Sequence, residues 1–479
     1  MKIAGIHAQD MKFNPEIQHA VSEPYGLEVI LAVGEKEGHD VDLFLPALET
    51  PTGIKATSNE DMIERIVDFK PDVACFSLYT CQFQTGEKIA KELKKRLPKI
   101  KTIAGNRYPT YLKNDIPKFF DFFAIREGEE TFKELLEKIE SSQDYLNVPG
   151  LVVNTGKKGI FTGNRRRNYN LDSVPLAKRF PIILNQPYKG IGIPSLSKKP
   201  SYAIMEYSRS CESNCNFCDS TGFWGNTITY KSSKRFIEEG FKLKEKGVDI
   251  VYVMDLNFTS NYDRAMNLCN EIIESGLKLN WYAMSNIGTV LDHTDLLYTM
   301  KDAGCYKIAW GVESTCDENL QAMNKTGGGK EQKFEDTIYV LEHSLHAGII
   351  NQGYYIMGFP NETTDSILRD AEKIKDIPLH QLNIGIFTPI PLSAQFNQLK
   401  KDGMEFEEDL SMHDRNTLIY SHPTIGRKEM KDIQMKLHNE FYKTPEFRSR
   451  AMESISIDNR FEDSFNDYLD LINQEVLTK

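Results

Sequence analysis

The fold is decided by the stretch Arg209-Ser210-Cys211-Glu212-Ser213-Asn214-Cys215-Asn216-Phe217-Cys218-Asp219, which places three cysteines within eight residues. Thiolates ligate iron–sulfur clusters and zinc, so the spacing Cys-x3-Cys-x2-Cys predicts a loop wrapped around one soft-metal centre. A tetrahedral zinc site would need a fourth Cys or His at short spacing, and none follows. A [4Fe–4S] cluster held by Cys211, Cys215 and Cys218 would leave one iron open for a substrate or cofactor.

The composition narrows the class of protein. A chain of 479 residues with 40% hydrophobic and 27% charged residues indicates a globular protein of two or three domains. The net charge of −11 argues against nucleic-acid binding by bulk electrostatics. No apolar run approaches the roughly 20 residues that span a bilayer, and no signal-peptide core is present, so we expect no membrane contact. The five other cysteines are scattered, which favours the reducing cytoplasm over a disulfide framework.

The first third of the chain alternates short apolar runs with helical patterns. This alternation predicts an open, doubly wound parallel sheet, covered by helices on both faces, over residues 1–145. Ligands of such sheets lie at the carboxyl ends of the strands. Those ends are residues 77–82, 105–108 and 126–129. Gly105 and Gly128 permit close approach of a large ligand, and Ser77, Thr80 and Asn106 offer hydrogen-bonding groups.

Alternation of strands and helices resumes over residues 200–395. Six predicted strands, the first running directly into the cysteine loop, indicate a partial (β/α)6 barrel whose chemistry lies at the carboxyl-terminal mouth. The strands are expected at 202–207, 250–254, 279–284, 306–311, 354–357 and 381–387. Residues 146–199 are predicted to be a connector that begins with a hairpin and includes a basic run at 164–168. Residues 396–479 are predicted to be helical, either as a cap over the barrel mouth or as a partner-binding module.

The ordered motifs of the first domain resemble the cobalamin-binding domain that precedes many radical-SAM enzymes. They are Gly26-Leu27-Glu28, Gly38-His39-Asp40-Val41, Pro71-Asp72-Val73, Ser77, Gly105 and Arg126-Glu127-Gly128-Glu129-Glu130. The family's Asp-x-His-x-x-Gly is missing, so the resemblance implies binding without a protein histidine on cobalt, with residues 79–82 facing its lower side. The cobalamin contacts that it implies are Ser77, Tyr79, Thr80, Gln82, Gly105, Asn106, Arg126, Glu127 and Gly128.

The second domain is similar to the radical-SAM superfamily. The similarity rests on the cysteine loop, on Gly311-Val312-Glu313-Ser314 and on Gly353-Tyr354-Tyr355-Ile356-Met357-Gly358-Phe359-Pro360. It implies that S-adenosylmethionine (SAM) chelates the open iron and is cleaved by one electron to a 5′-deoxyadenosyl radical. The usual Gly-Gly-Glu is replaced by Met254-Asp255-Leu256-Asn257-Phe258, which resembles the cobalamin-type members. The SAM contacts that it implies are Phe217, Asp255, Asn257, Ser285, Asn286, Glu313 and Met357.

Together the resemblances predict a cobalamin-dependent (class B) radical-SAM methyltransferase. Its cofactors would be a [4Fe–4S] cluster, SAM and cobalamin, with methylcobalamin as methyl donor to an unactivated carbon or phosphorus centre. The predicted partners are a small-molecule or peptide substrate and an electron donor such as flavodoxin or ferredoxin. Two alternatives stay open: a radical rearrangement, cyclisation or oxidation with the same cofactors, and a cobalamin-binding sensor or carrier with a structural cluster.

Overall fold

The computed structural model describes residues 1–8, 23–50, 53–184, 201–327, 329–457 and 462. The chain forms two compact units. The first contains Met1–Gln186 with the short segments Gly222–Trp224 and Glu408–Ser411, and the second contains the other residues. The predicted domain boundaries at 145, 199 and 395 stay predictions.

The first unit is built around a seven-stranded sheet in the order β2-β1-β5-β6-β7-β8-β9. Its first five strands are parallel, as the sequence predicts for a doubly wound domain. In chain order the elements are β1 (Lys2–Ile6), α1 (Tyr25–Lys36), β2 (Asp40–Phe44), β3 (Ala47–Thr50), β4 (Gly53–Ala56), α2 (Asn59–Phe69), β5 (Val73–Ser77), α3 (Phe83–Arg96), β6 (Lys101–Gly105), α4 (Arg107–Leu112), β7 (Phe122–Ala124), α5 (Glu129–Glu140), β8 (Leu151–Asn154), β9 (Gly159–Phe161) and α6 (Pro181–Leu184).

Both faces of this sheet are covered, because successive residues of a strand point to opposite sides. Val73 and Cys75 of β5 belong to one core with residues of α1 and α5. Ala74 and Phe76 belong to a second core with residues of α2 and α3. Strands that are buried on both faces are near-continuous apolar runs. The positions of these strands could therefore be predicted from the sequence.

The hairpin that the sequence placed in the connector belongs to this sheet. Strand β8 pairs antiparallel with β7, and β9 pairs antiparallel with β8. The basic run at 164–168 is typical of a solvated turn, but one of its arginines, Arg165, is held on α5. Its guanidinium donates to both carboxylate oxygens of Glu134 at 2.8 Å and to Thr131 Oγ1 at 2.8 Å. Arg165 therefore ties the chain after the hairpin to the sheet's covering helix.

The second unit contains six parallel strands in the order β10-β13-β14-β15-β18-β19, with helices between them, as predicted for a partial barrel. In chain order the elements are β10 (Tyr202–Met205), β11 (Ser208–Arg209), α7 (Ser220–Trp224, of which Gly222–Trp224 are counted with the first unit), β12 (Thr229–Tyr230), α8 (Ser233–Glu245), β13 (Ile250–Val253), α9 (Tyr262–Ser275), β14 (Asn280–Ser285), α10 (Ile287–Val290), α11 (Asp295–Asp302), β15 (Cys305–Glu313), α12 (Asp317–Ala322), β16 (Thr326–Gly327), β17 (Lys330–Glu331), α13 (Phe334–His346), β18 (Ile350–Met357), α14 (Thr364–Ala371), β19 (Gln381–Ile386), α15 (Ala394–Lys401), α16 (Arg427–Tyr442) and α17 (Pro445–Ile457).

Helix α16 covers the last strand of the partial barrel. The Tyr442 hydroxyl accepts from the backbone N–H of Leu382 at 2.9 Å and donates to the carbonyl of the same residue at 2.8 Å. Gln434 Nε2 donates to the Ile384 carbonyl at 2.6 Å. These side chains satisfy backbone groups of β19 that another strand would otherwise pair. The part of the predicted helical region that follows residue 457 lies outside the described residues, apart from position 462.

None of the described helices is long and apolar enough to cross a membrane. The cytoplasmic location predicted from the cysteine pattern stays a prediction.

We predict that Tyr442→Phe lowers the free energy of unfolding by about 1–3 kcal/mol, because it leaves the N–H and carbonyl of Leu382 unpaired in a buried place. Urea denaturation of the full chain measures this loss. Tyr298→Phe, on the exposed face of α11, is the matched control and should change the unfolding midpoint little, since Tyr298 is 46% exposed. Equal midpoints for wild type and Tyr442→Phe would contradict the assignment of α16 as the cover of β19.

Candidate functional site

The cysteine loop connects β11 to α7 in the second unit. Cys211, Cys215 and Cys218 are all partly exposed free thiols. Ser210, immediately before the first cysteine, has a φ of 86°, a left-handed conformation that costs a non-glycine residue free energy. Burial raises the pKa of the Cys211 thiol, and it raises that of Cys215 to about 11, so these thiols need a cation or metal nearby to lose their protons.

The loop is held by a segment that the sequence analysis missed, residues 322–326, here called the clamp segment. Ser213 Oγ donates to the Thr326 carbonyl at 2.8 Å, and Asn324 Nδ2 donates to the Asn214 carbonyl at 2.8 Å. Asn216 donates twice, from its backbone to Met323 at 2.9 Å and from its side chain to Ala322 at 3.0 Å. Four hydrogen bonds to one short segment thus fix the backbone between the cysteines.

The donor set fits an iron–sulfur cluster better than a single metal ion. Within the described ranges, no three Cys, His, Asp or Glu side chains are placed to hold one ion together. A zinc site requires its ligands to converge on one point, whereas each thiolate of a cluster binds a different iron. Three thiols spread along a clamped loop match the second requirement. Cys211, Cys215 and Cys218 are therefore the residues that would hold the cluster.

Asp255, a predicted SAM contact, is fully buried at the end of β13. Its carboxylate accepts from the backbone N–H of Tyr207 at 2.8 Å, and from the N–H and hydroxyl of Ser208 at 2.9 and 2.6 Å. Burial raises its pKa to about 6, although these hydrogen bonds act in the opposite direction. Because the bonds go to the chain that leads into the cysteine loop, they give Asp255 a positioning role. Its contact with SAM stays a prediction.

The structure brings Asn257, Ser285 and Asn286 together after β13 and β14. Asn257 Oδ1 accepts from the backbone N–H of Asn286 at 3.0 Å. Asn286 Nδ2 donates to the Thr326 carbonyl at 2.8 Å, which connects this strand end to the clamp segment. Asn257 Nδ2 and Ser285 Oγ are buried and lack a hydrogen-bond partner among the described residues. Such groups are costly unless a ligand pairs them, so they remain good candidates for SAM contacts.

Glu313 ends β15 in a buried ion pair. Its Oε1 lies 2.6 Å from Lys325 Nζ, and both side chains are less than one-tenth exposed. The φ of Glu313 is 60°, again a left-handed conformation in a non-glycine residue. A Cβ on Gly311 would lie 2.4 Å from Lys325 Nζ and 2.5 Å from Glu313 Oε1, so only glycine leaves room for the pair. The predicted carboxylate thus has a partner that the sequence did not reveal.

The two other predicted SAM contacts differ in exposure. Phe217 is partly exposed within the cysteine loop, whereas the Met357 side chain is fully buried at the end of β18.

The turn after Met357 is held by Glu362, a residue that the sequence analysis did not single out. The Glu362 carboxylate accepts from the backbone N–H groups of Gly358 and Phe359 at 2.6 and 2.7 Å, and burial raises its pKa to about 7.

In the first unit, predicted cobalamin contacts lie at the carboxyl ends of β5, β6 and β7. Asn106 Nδ2 donates to Ser77 Oγ at 3.0 Å, across neighbouring strands. The φ angles of Asn106 and Arg126 are 86° and 66°. The Arg126 N–H donates to Thr110 Oγ1 at 3.0 Å, which holds this strained backbone in place. Gly105 faces Ala124, and a Cβ there would meet it at an ordinary 3.6 Å.

The remaining predicted cobalamin contacts flank this edge. Tyr79 is 47% exposed, and its N–H donates to Gln82 Oε1 at 3.2 Å, while Thr80 is buried between them. Glu127 lies 3.7 Å from the guanidinium of Arg167. Gly128 precedes the first residue of α5. All nine residues end or follow β5, β6 or β7. Their contacts with cobalamin stay predictions.

Two family models match this chain. The B12 binding domain matches residues 19–136, and the Radical SAM superfamily matches residues 205–385. The chain therefore combines a B12-binding domain with a radical SAM domain. The family recognised from the sequence is confirmed at this level, and the two models agree with its implied cofactors cobalamin and SAM.

Curated relatives include both methyltransferases and cyclases. An uncharacterized methyltransferase of Pyrococcus horikoshii is 26% identical over 77% of this chain and 76% of its own length. The anaerobic magnesium-protoporphyrin IX monomethyl ester cyclase of Cereibacter sphaeroides is 24% identical over 80% of this chain and 62% of its own. The hopanoid C-3 methylase of Methylococcus capsulatus is 26% identical over 68% of this chain and 59% of its own length. The chain thus spans less than two thirds of the length of the cyclase and of the hopanoid methylase.

Solved structures share the fold. The cobalamin-dependent S-adenosylmethionine radical enzyme OxsB, with aqua-cobalamin and S-adenosylmethionine bound, gives a TM-score of 0.69 at 14% identity, covering 98% of this chain and 75% of OxsB. The radical S-adenosylmethionine methyltransferase TsrM of Kitasatospora setae was solved with cobalamin and a [4Fe-4S] cluster bound. It gives a TM-score of 0.64 at 16% identity, covering 84% of this chain and 75% of TsrM. These likenesses confirm the predicted fold class.

We predict that Ser285→Ala raises the dissociation constant for SAM about three- to tenfold, the loss expected for one hydrogen bond. The stability of the free protein should not fall, because the hydroxyl has no partner there among the described residues. Calorimetric titration of anaerobically reconstituted protein measures the affinity. Ser344→Ala is the matched control, since Ser344 Oγ in α13 is equally buried and unpartnered in the described chain. If Ser285→Ala binds SAM with the affinity of the wild type, the predicted contact between Ser285 and SAM is refuted.

Proposed function

We propose that the protein is a cobalamin-dependent radical SAM methyltransferase that methylates an unactivated carbon or phosphorus centre of a small molecule. The observation that carries this proposal is the presence of both cofactor domains in one chain. The methyltransferases among the relatives and solved structures support it, in agreement with the sequence-based prediction. The extension to a peptide substrate rests on the sequence-based prediction alone.

The pairing of two cofactors has a chemical reason. The methyl group of SAM is electrophilic and suits nucleophiles, so a carbon radical requires another methyl donor, and bound cobalamin supplies one through a weak cobalt–carbon bond. The chain's own residues divide the work. The clamped cysteine loop presents three thiols to the cluster, and Asn257, Ser285 and Glu313 line the strand ends that would hold SAM. The carboxyl edge of β5, β6 and β7 would hold cobalamin.

An electron donor is the second partner that we propose. Reductive cleavage of SAM consumes one electron, and none of the residues described supplies it. A small carrier such as flavodoxin or ferredoxin fits this need. We do not propose a nucleic-acid partner, because the chain's net charge of −11 opposes it.

A second candidate function is a radical cyclisation with the same cofactors. The cyclase of Cereibacter sphaeroides among the relatives favours it specifically. Cyclisation transfers no methyl group, so the two functions differ in the fate of the SAM methyl carbon. A third possibility from the sequence, a sensor or carrier with a structural cluster, would not cleave SAM at all.

We predict that reconstituted protein with cobalamin, SAM labelled at its methyl group and a one-electron reductant forms 5′-deoxyadenosine and transfers the label to cobalamin. With an accepted substrate, the product should gain one labelled methylene unit in mass. Mass spectrometry of both fractions measures the transfer. The Cys215→Ala variant, which lacks one proposed cluster ligand, should form no 5′-deoxyadenosine.

Each rival predicts a different result. Formation of 5′-deoxyadenosine and a converted substrate without label would favour cyclisation or oxidation and contradict methylation. Absence of 5′-deoxyadenosine in the wild-type protein, with its cluster spectroscopically intact, would favour the sensor. Equal SAM cleavage by wild type and Cys215→Ala would contradict the assignment of Cys215 to the cluster.

A further inference from the structure

Lys325 is the one residue of the clamp segment whose side chain is a buried cation. Its neighbours Asn324 and Thr326 are both hydrogen-bonded to the cysteine loop, through Asn214 and Ser213. The Lys325 side chain is only 6% exposed. Its backbone is also fixed, since its N–H donates to Leu320 and its carbonyl accepts from Gln332. The lysine is therefore held next to the loop by bonds on both sides.

The charge of Lys325 is retained despite burial. Desolvation alone lowers the pKa of a lysine, but attraction to Glu313, Cys215 and Cys211 outweighs it and raises the pKa of Lys325. The 2.6 Å contact with Glu313 and the space left by Gly311 fix the ammonium in one place. A positive charge is thus maintained within electrostatic reach of two cluster ligands.

A fixed charge beside a cluster changes its reduction potential. Reduction adds one negative charge to the cluster, so a nearby cation stabilises the reduced form more than the oxidised form. A nearby anion has the opposite effect. The potentials of iron–sulfur clusters respond to net charge and to groups around the ligands in this way.

We propose that Lys325 is a positioning residue of the cluster, whose buried ammonium, held by Glu313, raises the reduction potential of the [4Fe–4S] centre before SAM binds. This inference rests on the proposed function, because it requires the cluster at Cys211, Cys215 and Cys218. The step concerned is the transfer of one electron from a chemical reductant such as titanium(III) citrate to the oxidised cluster. No bond forms or breaks, and no proton moves.

The test is a redox titration of reconstituted protein without SAM, followed by the electron paramagnetic resonance of the reduced cluster. In Lys325→Met the ratio of reduced to oxidised cluster at a fixed potential should fall about tenfold, which corresponds to about 59 mV for one electron. In Glu313→Gln the ratio should rise. Lys325→Arg, which keeps the charge, should stay near wild type.

Lys330→Met is the matched control. Lys330 follows the clamp segment closely in the chain, but it is 53% exposed and pairs with Asp292. Removing its charge should leave the potential unchanged, because exposed charges are screened by water and salt. Iron and sulfide contents equal to wild type show that each variant still carries the cluster.

Several outcomes would overturn the inference. A wild-type potential in Lys325→Met would do so, and so would a reduced SAM affinity with an unchanged potential, which would assign the lysine to SAM instead. Should Lys325→Met not load a cluster, Glu313→Gln decides, and an unchanged or lower potential in that variant refutes the proposal. Failure of the proposed function is distinguishable, since loss of methyl transfer is measured separately and leaves the cluster potential of each variant readable. Failure of the cluster assignment itself would show as wild-type protein without a cluster signal.

Discussion

The hydrogen bonds between the cysteine loop and residues 322–326 are the interaction on which the proposed chemistry depends. A loop that must present three thiols cannot rely on regular structure, because helix or sheet geometry would space them differently. Here Ser213, Asn214 and Asn216 bond to the clamp segment instead. Thr326 also accepts from Asn286, so the loop and a neighbouring strand end share one anchor. Loop, clamp segment and strand end are thereby held as one rigid group.

Strained backbone conformations occur at the cysteine loop and at the strand ends that carry predicted ligand contacts. Ser210, Glu313, Asn106 and Arg126 all have positive φ angles at or next to predicted ligand contacts. Each such residue costs about 1–3 kcal/mol, and each lies at or just after the carboxyl end of a strand. Surrounding bonds, such as the one from Arg126 to Thr110, hold the strained conformation. In both units, therefore, the strand ends that face the proposed cofactors are held in conformations that the chain would otherwise avoid.

Much of this could be predicted from the sequence, and what could not has a common cause. Buried parallel strands such as β5 are continuous apolar runs, so the fold could be predicted from the sequence. The cysteine spacing is specific, so the cluster could be predicted as well. The Glu313–Lys325 pair was not, because its partners are joined only by the tertiary fold. The positioning role of Asp255 was missed because the donors to its carboxylate are the backbone N–H groups of Tyr207 and Ser208, which only the tertiary fold brings to it. The roles of Arg165 and Glu362 were hidden for the same reason, because composition does not reveal which backbone or carboxylate a side chain meets.

The central claim is that three thiols from one clamped loop leave one iron of the cluster open for SAM. Electron–nuclear double resonance of the reduced, reconstituted protein with SAM labelled with ¹⁵N at its amine tests it most directly. The account predicts a hyperfine coupling between the label and the cluster spin, showing that the amine binds iron. A cluster signal without any such coupling, at SAM concentrations that saturate the protein, would contradict it.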